Sequence, residues 1–113
     1  MDSGRWVHVA RLGELKNGYG TRRVAEDEDL ALWRLGGDVF GLRNHCAHQH
    51  AATMHEASRA GKIITCPLHG WSFRLDDGWE ENGRGRLRTY ETKVEDEEVF
   101  VFFPAGPAWQ SDE

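Results

Sequence analysis

Apolar and polar residues alternate along this chain with a period of two far more often than with a helical period. That pattern predicts strands separated by turns. Trp6–Ala10, Thr21–Ala25, Leu30–Leu35 and Val39–Leu42 each read as a strand, the last two joined through Gly36-Gly37-Asp38, a strong hairpin signal. Ile63–Thr65 reads as a short strand, and Trp71–Leu75 as another, turned by Asp76-Asp77-Gly78. Arg86–Val94 and Val99–Phe103 are expected to pair across the acidic turn Glu95-Asp96-Glu97. Lys16–Gly20 is a glycine-punctuated loop, and Ala51–Ala60 is the one stretch expected to make a helical turn. The tail from Pro104 onward is expected to run extended on the surface or to fray. Strands at this spacing, with such turns, predict an all-β sandwich or small barrel of antiparallel strands.

Length and composition bound that picture. With 113 residues, 39% of them hydrophobic, the chain can bury one core but not two, so residues 1–113 are expected to form a single domain, its core about 5–104 and its tail 105–113. The formal charge of −5 argues against a nucleic-acid surface, which would cluster basic residues. Residues 1–45 balance 7 acids with 7 bases, whereas residues 46–113 hold 12 acids and 7 bases. Most of that excess lies in Glu91–Glu98, which reads first as a solvated hairpin face and second as a docking patch. The longest apolar run, Val99–Phe103, is of strand length, far below the ~20 residues of a membrane span. Met1–Trp6 leads into polar alternation rather than an apolar signal-peptide segment, so the expected compartment is the cytoplasm. Only two cysteines, Cys46 and Cys66, are present beside six histidines; this suits metal ligation better than a disulfide framework.

Cys46-Ala47-His48 and Cys66-Pro67-Leu68-His69 are the two segments that carry chemistry, with seventeen residues between His48 and Cys66. Each supplies one thiolate and one imidazole where a strand gives way to a loop. Thiolates select zinc, copper(I) or iron–sulfur iron, and imidazole adds a neutral ligand. Zinc fingers of the two-cysteine, two-histidine kind separate the residue types, cysteines at one end and histidines at the other; here each loop mixes them.

C-x-H, a spacer of this order, then C-x-x-H followed by glycine and an aromatic resembles the Rieske iron–sulfur domain. The stretch Cys66–Phe73 is similar to the second cluster loop of oxygenase-associated members, and Leu87–Tyr90 with Val99–Val101 to their closing hairpin. The resemblance implies one [2Fe–2S] cluster, with Cys46 and Cys66 on the inner iron and His48 and His69 on the outer one. It also implies a Rieske-like fold with both cluster-binding loops at one end. Pro67 fixes φ after Cys66, and Gly70 lets the backbone approach the sulfides. Replacing two anionic thiolates by neutral imidazoles makes reduction easier than at an all-cysteine cluster.

Three departures refine the expectation. High-potential members carry an extra cysteine in each loop and join the two in a disulfide; the matching positions here are Ala51 and Leu68. Those members also place a serine after the second loop's glycine, where this chain has Trp71. Both point to the low-potential class, toward roughly −150 mV. His50 stands where the family usually has glycine, so the first loop is expected to be shaped differently. His45, His50 and His55 read as loop residues rather than ligands, and His8 as a strand-face residue. Most tryptophans read as core or rim packing; Trp71, beside the cluster loop, is placed to shield the sulfides.

The resemblance implies a soluble, monomeric single-electron carrier of the ferredoxin kind, passing electrons from a flavin-dependent reductase to a terminal oxygenase. No catalytic residues are expected, because nothing after Phe103 can supply the mononuclear iron domain of an oxygenase. A Rieske subunit or module of a larger oxidoreductase, such as a split oxygenase or a nitrite-reductase small subunit, is the second reading. A structural zinc module for protein binding is the third.

Overall fold

The computed structural model describes residues 4–45, 53–67 and 70–104. Within them ten strands run in the order β1 (Gly4–Arg11), β2 (Gly20–Ala25), β3 (Glu28–Leu35), β4 (Asp38–Arg43), β5 (Ser58–Ala60), β6 (Ile63–Thr65), β7 (Ser72–Arg74), β8 (Thr89–Tyr90), β9 (Thr92–Glu95) and β10 (Glu98–Pro104). Single 3₁₀ turns at Leu12–Glu14 and Met54–Glu56 complete the elements. Every pairing is antiparallel, in three sheets ordered β1-β10-β9, β2-β3-β4-β8 and β5-β6-β7. The all-β antiparallel expectation therefore holds.

Strand β3 explains how three sheets share one small protein. Leu30, Ala31, Leu32 and Trp33 are all buried, a continuous apolar run rather than an alternation, which is what a strand covered on both faces requires. Leu30 and Leu32 pack with Ala10, Leu15, Val39, Tyr90, Val99 and Val101 on the side of the first sheet. Ala31 and Trp33 pack with Leu42, Met54, Ile64, Cys66, Phe73 and Leu87 on the side of the third. The middle sheet thus lies between two cores, and only the second of these reaches Cys66.

Tight turns define the strand ends. Leu35 pairs with Asp38 around Gly36-Gly37, as expected. Gly61-Lys62 turns β5 into β6, and two further two-residue turns are built from acids: Glu26-Asp27 joins β2 to β3, and Asp96-Glu97 joins β9 to β10. All four of these acids have positive φ, between 52° and 67°, the geometry that the right-handed twist of a two-residue hairpin favours.

Two expectations are corrected. Arg86–Val94 is not one strand: β8 pairs with β4, β9 pairs with β10, and the chain changes sheet at Glu91. The apolar alternation continues through that corner because Tyr90 packs against Val99 and Val101, so the sequence pattern does not register it. The expected helical turn in Ala51–Ala60 is a single 3₁₀ turn, Met54–Glu56, followed by β5. Trp33 draws that turn inward by donating its indole N–H to the Met54 carbonyl at 3.2 Å. Positions 51 and 52, His50 and the tail 105–113 lie outside the described residues.

Candidate functional site

The second motif begins at the neck of the β6–β7 hairpin. Thr65 pairs with Ser72, and their hydroxyls hydrogen-bond at 2.8 Å. One step further, the Cys66 N–H donates to the Trp71 carbonyl at 2.8 Å, and the Gly70 N–H donates to the Cys66 carbonyl at 3.0 Å. Both backbone groups of Cys66 are thus committed across the neck, which fixes the direction of its side chain. Gly70 has φ +76°, a left-handed conformation that glycine adopts without strain.

The first motif is rooted differently. β4 ends at Arg43, and Asn44, fully buried, binds on both sides of the segment that follows. Its N–H donates to the Asp29 carbonyl at 2.9 Å, and its side-chain amide donates to the Asp29 carboxylate at 3.1 Å. Its side-chain oxygen accepts the His55 N–H at 2.8 Å, and its carbonyl accepts the Met54 N–H at 2.9 Å. One residue therefore pins both the entrance and the exit of segment 46–52. Burial alone would push the Asp29 carboxyl up, but hydrogen bonds from Arg22 and Asn44 outweigh it and hold the group below its ordinary value. Asp29 thus stays ionised as the anchor of this root. His45 Nε2 lies 3.5 Å from the same carboxylate. His55 Nδ1 lies 3.1 Å from the Asn44 side-chain oxygen, so both rings lie against the root.

The two roots meet. Cys66 is 1% exposed. Its Sγ lies 3.8 Å from the hydroxyl of Thr53, the first residue after segment 46–52. A thiol at this junction is in place to be a ligand shared by two converging loops. Cys46, His48 and His69 lie outside the described residues, as do Ala47, Gln49, Ala51 and Leu68. Among the described residues no group of three or more His, Cys, Asp or Glu side chains is arranged to hold a metal ion. The donor chemistry that remains, one buried thiol aimed at the root of a segment that itself carries Cys46 and His48, fits a two-thiolate, two-imidazole iron–sulfur centre.

Sequence reasoning missed Asn44, Thr53 and the pair Glu80–Arg84, which borders Trp71. A buried asparagine at the end of an apolar strand leaves only a faint mark, a polar residue just before the Cys-x-His motif. Thr53 and Glu80 leave none.

Among the described residues the chain is wholly antiparallel β, with one buried thiol where the roots of two loops meet. The Rieske [2Fe-2S] domain model matches residues 5–91, and the chain belongs to that family. The 3-phenylpropionate/cinnamic acid dioxygenase ferredoxin subunit of Photorhabdus laumondii is 30% identical over 84% of this chain and 91% of its own. The ferredoxin of carbazole 1,9a-dioxygenase from Nocardioides aromaticivorans has 26% identity and a TM-score of 0.78, over 88% of this chain and 96% of that one. A Mycobacterium tuberculosis protein described as an NADH-dependent nitrite reductase small subunit superposes with a TM-score of 0.86 at 24% identity, over 93% of this chain and 100% of that one; this is a likeness of fold alone. No helix among the described residues is long and apolar enough to cross a membrane.

Proposed function

We propose that this chain holds one Rieske [2Fe–2S] cluster, through Cys46 and Cys66 on the inner iron and His48 and His69 on the outer, in a single domain spanning residues 1–113. It is an electron carrier of the dioxygenase-ferredoxin kind, and its partners are a flavin-dependent reductase and a terminal oxygenase, met in the cytoplasm. The observation that carries the reading is the approach of the Cys66 thiol to Thr53. It brings Cys66 of the second motif against Thr53, which follows the segment carrying the first. When bound, the cluster supplies a site that accepts and releases one electron.

The chain's own residues supply the setting. Asn44 and the neck bonds of Cys66 fix both roots, so the ligands need not be ordered at each electron transfer. The Thr53 hydroxyl is placed to donate to the Cys66 sulfur, a bond that strengthens toward a thiolate. Trp71, Phe73 and Leu87 cover the inner side of Cys66. Because electron transfer requires close approach to the outer iron, its ligands His48 and His69, with Leu68 next to His69 in sequence, are assigned the docking role, and the net −5 steers encounter with a basic partner over about one Debye length, ~8 Å at physiological salt.

The test is the purified protein itself. Iron and acid-labile sulfide in the [2Fe–2S] ratio, with visible absorption that Cys46→Ser and Cys66→Ser each abolish, is the expected result. Stoichiometric zinc without colour, from cells supplied with iron, would overturn the reading in favour of a structural zinc module. The carrier role is checked by stopped-flow reduction across an ionic-strength series, for wild type and Leu68→Asp. Transfer should slow with salt and slow further in the variant while the spectrum stays the same. Transfer indifferent to both would favour a permanently bound subunit.

A further inference from the structure

The turn Glu80–Gly85 lies directly beside the second loop and is built around one carboxylate. The side chain of Glu80 is 1% exposed. Its Oε1 accepts the backbone N–H groups of Asn82 and Arg84 at 2.9 and 3.0 Å. The Arg84 guanidinium grips both oxygens, Nε on Oε1 at 3.2 Å and Nη2 on Oε2 at 2.8 Å. Backbone bonds close the turn, with Glu80 N–H donating to the Gly85 carbonyl and Glu81 N–H to the Ser72 carbonyl, each at 2.9 Å. The second of these ties the turn to the residue next to Trp71.

Arg84 does more than answer Glu80. Its guanidinium carbon lies 4.1 Å from the centroid of the Trp71 ring, a cation–π stack. Behind the indole is the core, with the Phe73 ring 6.4 Å away. Trp71 is also the residue whose carbonyl holds the Cys66 N–H. Contacts therefore run from a buried anion, through a cation that is 47% exposed, to the Trp71 indole, and the backbone carbonyl of that same residue bonds Cys66.

We propose that the Glu80–Arg84 pair, stacked on Trp71 beside the second loop, sets the reduction potential of the cluster seated there through its balance of charge. The inference rests on Cys66 being a cluster ligand, as proposed above. Reduction adds one negative charge to the cluster, so a nearby cation favours it and a nearby anion opposes it. The pair together nearly cancels, and removing one member exposes the other. Glu80→Gln keeps the acceptor for Asn82 and Arg84 but leaves Arg84 uncompensated, which raises the potential. Arg84→Met leaves the Glu80 carboxylate, still ionised because two backbone N–H groups bind it, and this lowers the potential. The second shift is the larger, because the buried anion is screened less than the half-exposed cation.

The experiment is a dithionite titration with mediators, followed through the visible absorption of the loaded protein. Wild type, Glu80→Gln, Arg84→Met, Arg84→Lys and the double variant Glu80→Gln/Arg84→Met are compared. Opposite shifts in the first two single variants, a double variant near wild type and an unshifted Arg84→Lys are the expected results. Loaded variants that all share the wild-type potential would overturn the inference, as would shifts of the same sign in Glu80→Gln and Arg84→Met, which mark a merely structural role. If Arg84→Met does not hold the cluster, Glu80→Gln must still raise the potential while Arg84→Lys leaves it unchanged; otherwise the inference fails. A colourless wild type would instead defeat the cluster assignment itself.

Discussion

Asn44→Ala is the substitution that most directly tests how the first loop is rooted. The asparagine side chain makes one hydrogen bond to the ionised Asp29 carboxylate and accepts one from the His55 N–H, and it is fully buried. A hydrogen bond to a charged group contributes about 1.5–3 kcal/mol and a neutral one about 0.5–1.5 kcal/mol. Truncation should therefore cost about 2–4.5 kcal/mol. With a urea slope of about 1–3 kcal/mol per molar, the denaturation midpoint of the loaded protein should fall by about 0.7–4.5 M. Asn44→Asp should be worse at neutral pH, since it keeps the acceptor for His55 but sets a second carboxylate against Asp29. Both variants should lose visible absorption faster than wild type in excess chelator, because ligand-bearing segment 46–52 is then held at neither end by this side chain. An Asn44→Ala protein within about 0.5 kcal/mol of wild type, losing its colour at the wild-type rate, would refute the clamp.

The remaining predictions concern the packing and charges around the same site. Phe73→Ala, at a fully buried position in the core that contains Cys66, should cost about 3–5 kcal/mol in the same denaturation assay. Gly78→Ala should also destabilise markedly, since φ there is +80° and the added Cβ would meet the Leu87 carbonyl at 2.1 Å; a circular-dichroism melt checks it. Hydrogen bonds from Arg84 hold the Glu80 carboxyl down to about 2 from an ordinary 4.5. Stability from this group is therefore fully present above pH ~4.5 and is lost as pH falls toward 2; the loss should be smaller in Glu80→Gln, as read by urea titrations across that range. Thr53→Val should keep the cluster but lower its potential, because a hydrogen bond to a ligating sulfur favours the reduced state; an unchanged potential would mean that the Thr53–Cys66 contact is not kept when the cluster is bound.

A strand was legible in the sequence where its side chains alternate between a more and a less exposed face, as along Trp6–Val9 of β1. β3 was legible for the opposite reason, since Leu30–Trp33 is apolar throughout. What alternation cannot reveal is which sheet a strand joins, and so the corner at Glu91 read as continuous strand. The ligand types were legible because thiolate and imidazole are rare and their spacing is short and regular. Asn44 was not, because its importance lies in contacts to Asp29, fifteen residues earlier, and to His55, eleven later. Only the register of β3 against β4 brings these residues together. Glu80 and Arg84 are close in sequence, but a Glu/Arg pair four apart reads as an ordinary surface pair unless its burial is known.

The two loops are anchored by unlike means, and this has a consequence for assembly. The second root uses backbone bonds between β6 and β7, which form with the hairpin itself and need no particular side chain. The first root depends on the Asn44 side chain, which can be satisfied only after β3, β4 and the Met54–Glu56 turn have come together. Cluster insertion couples to folding because the ligands are presented properly only in the folded chain. The Cys66 side should therefore be presented early and the Cys46 side late. Cys66 packs in the core while Thr53 reaches toward it from the first root, so the 3.8 Å contact between them closes only when both halves are in place. On this ordering the ligand-bearing end is completed by the slower root, so Asn44 should govern how readily the first loop's ligands are presented.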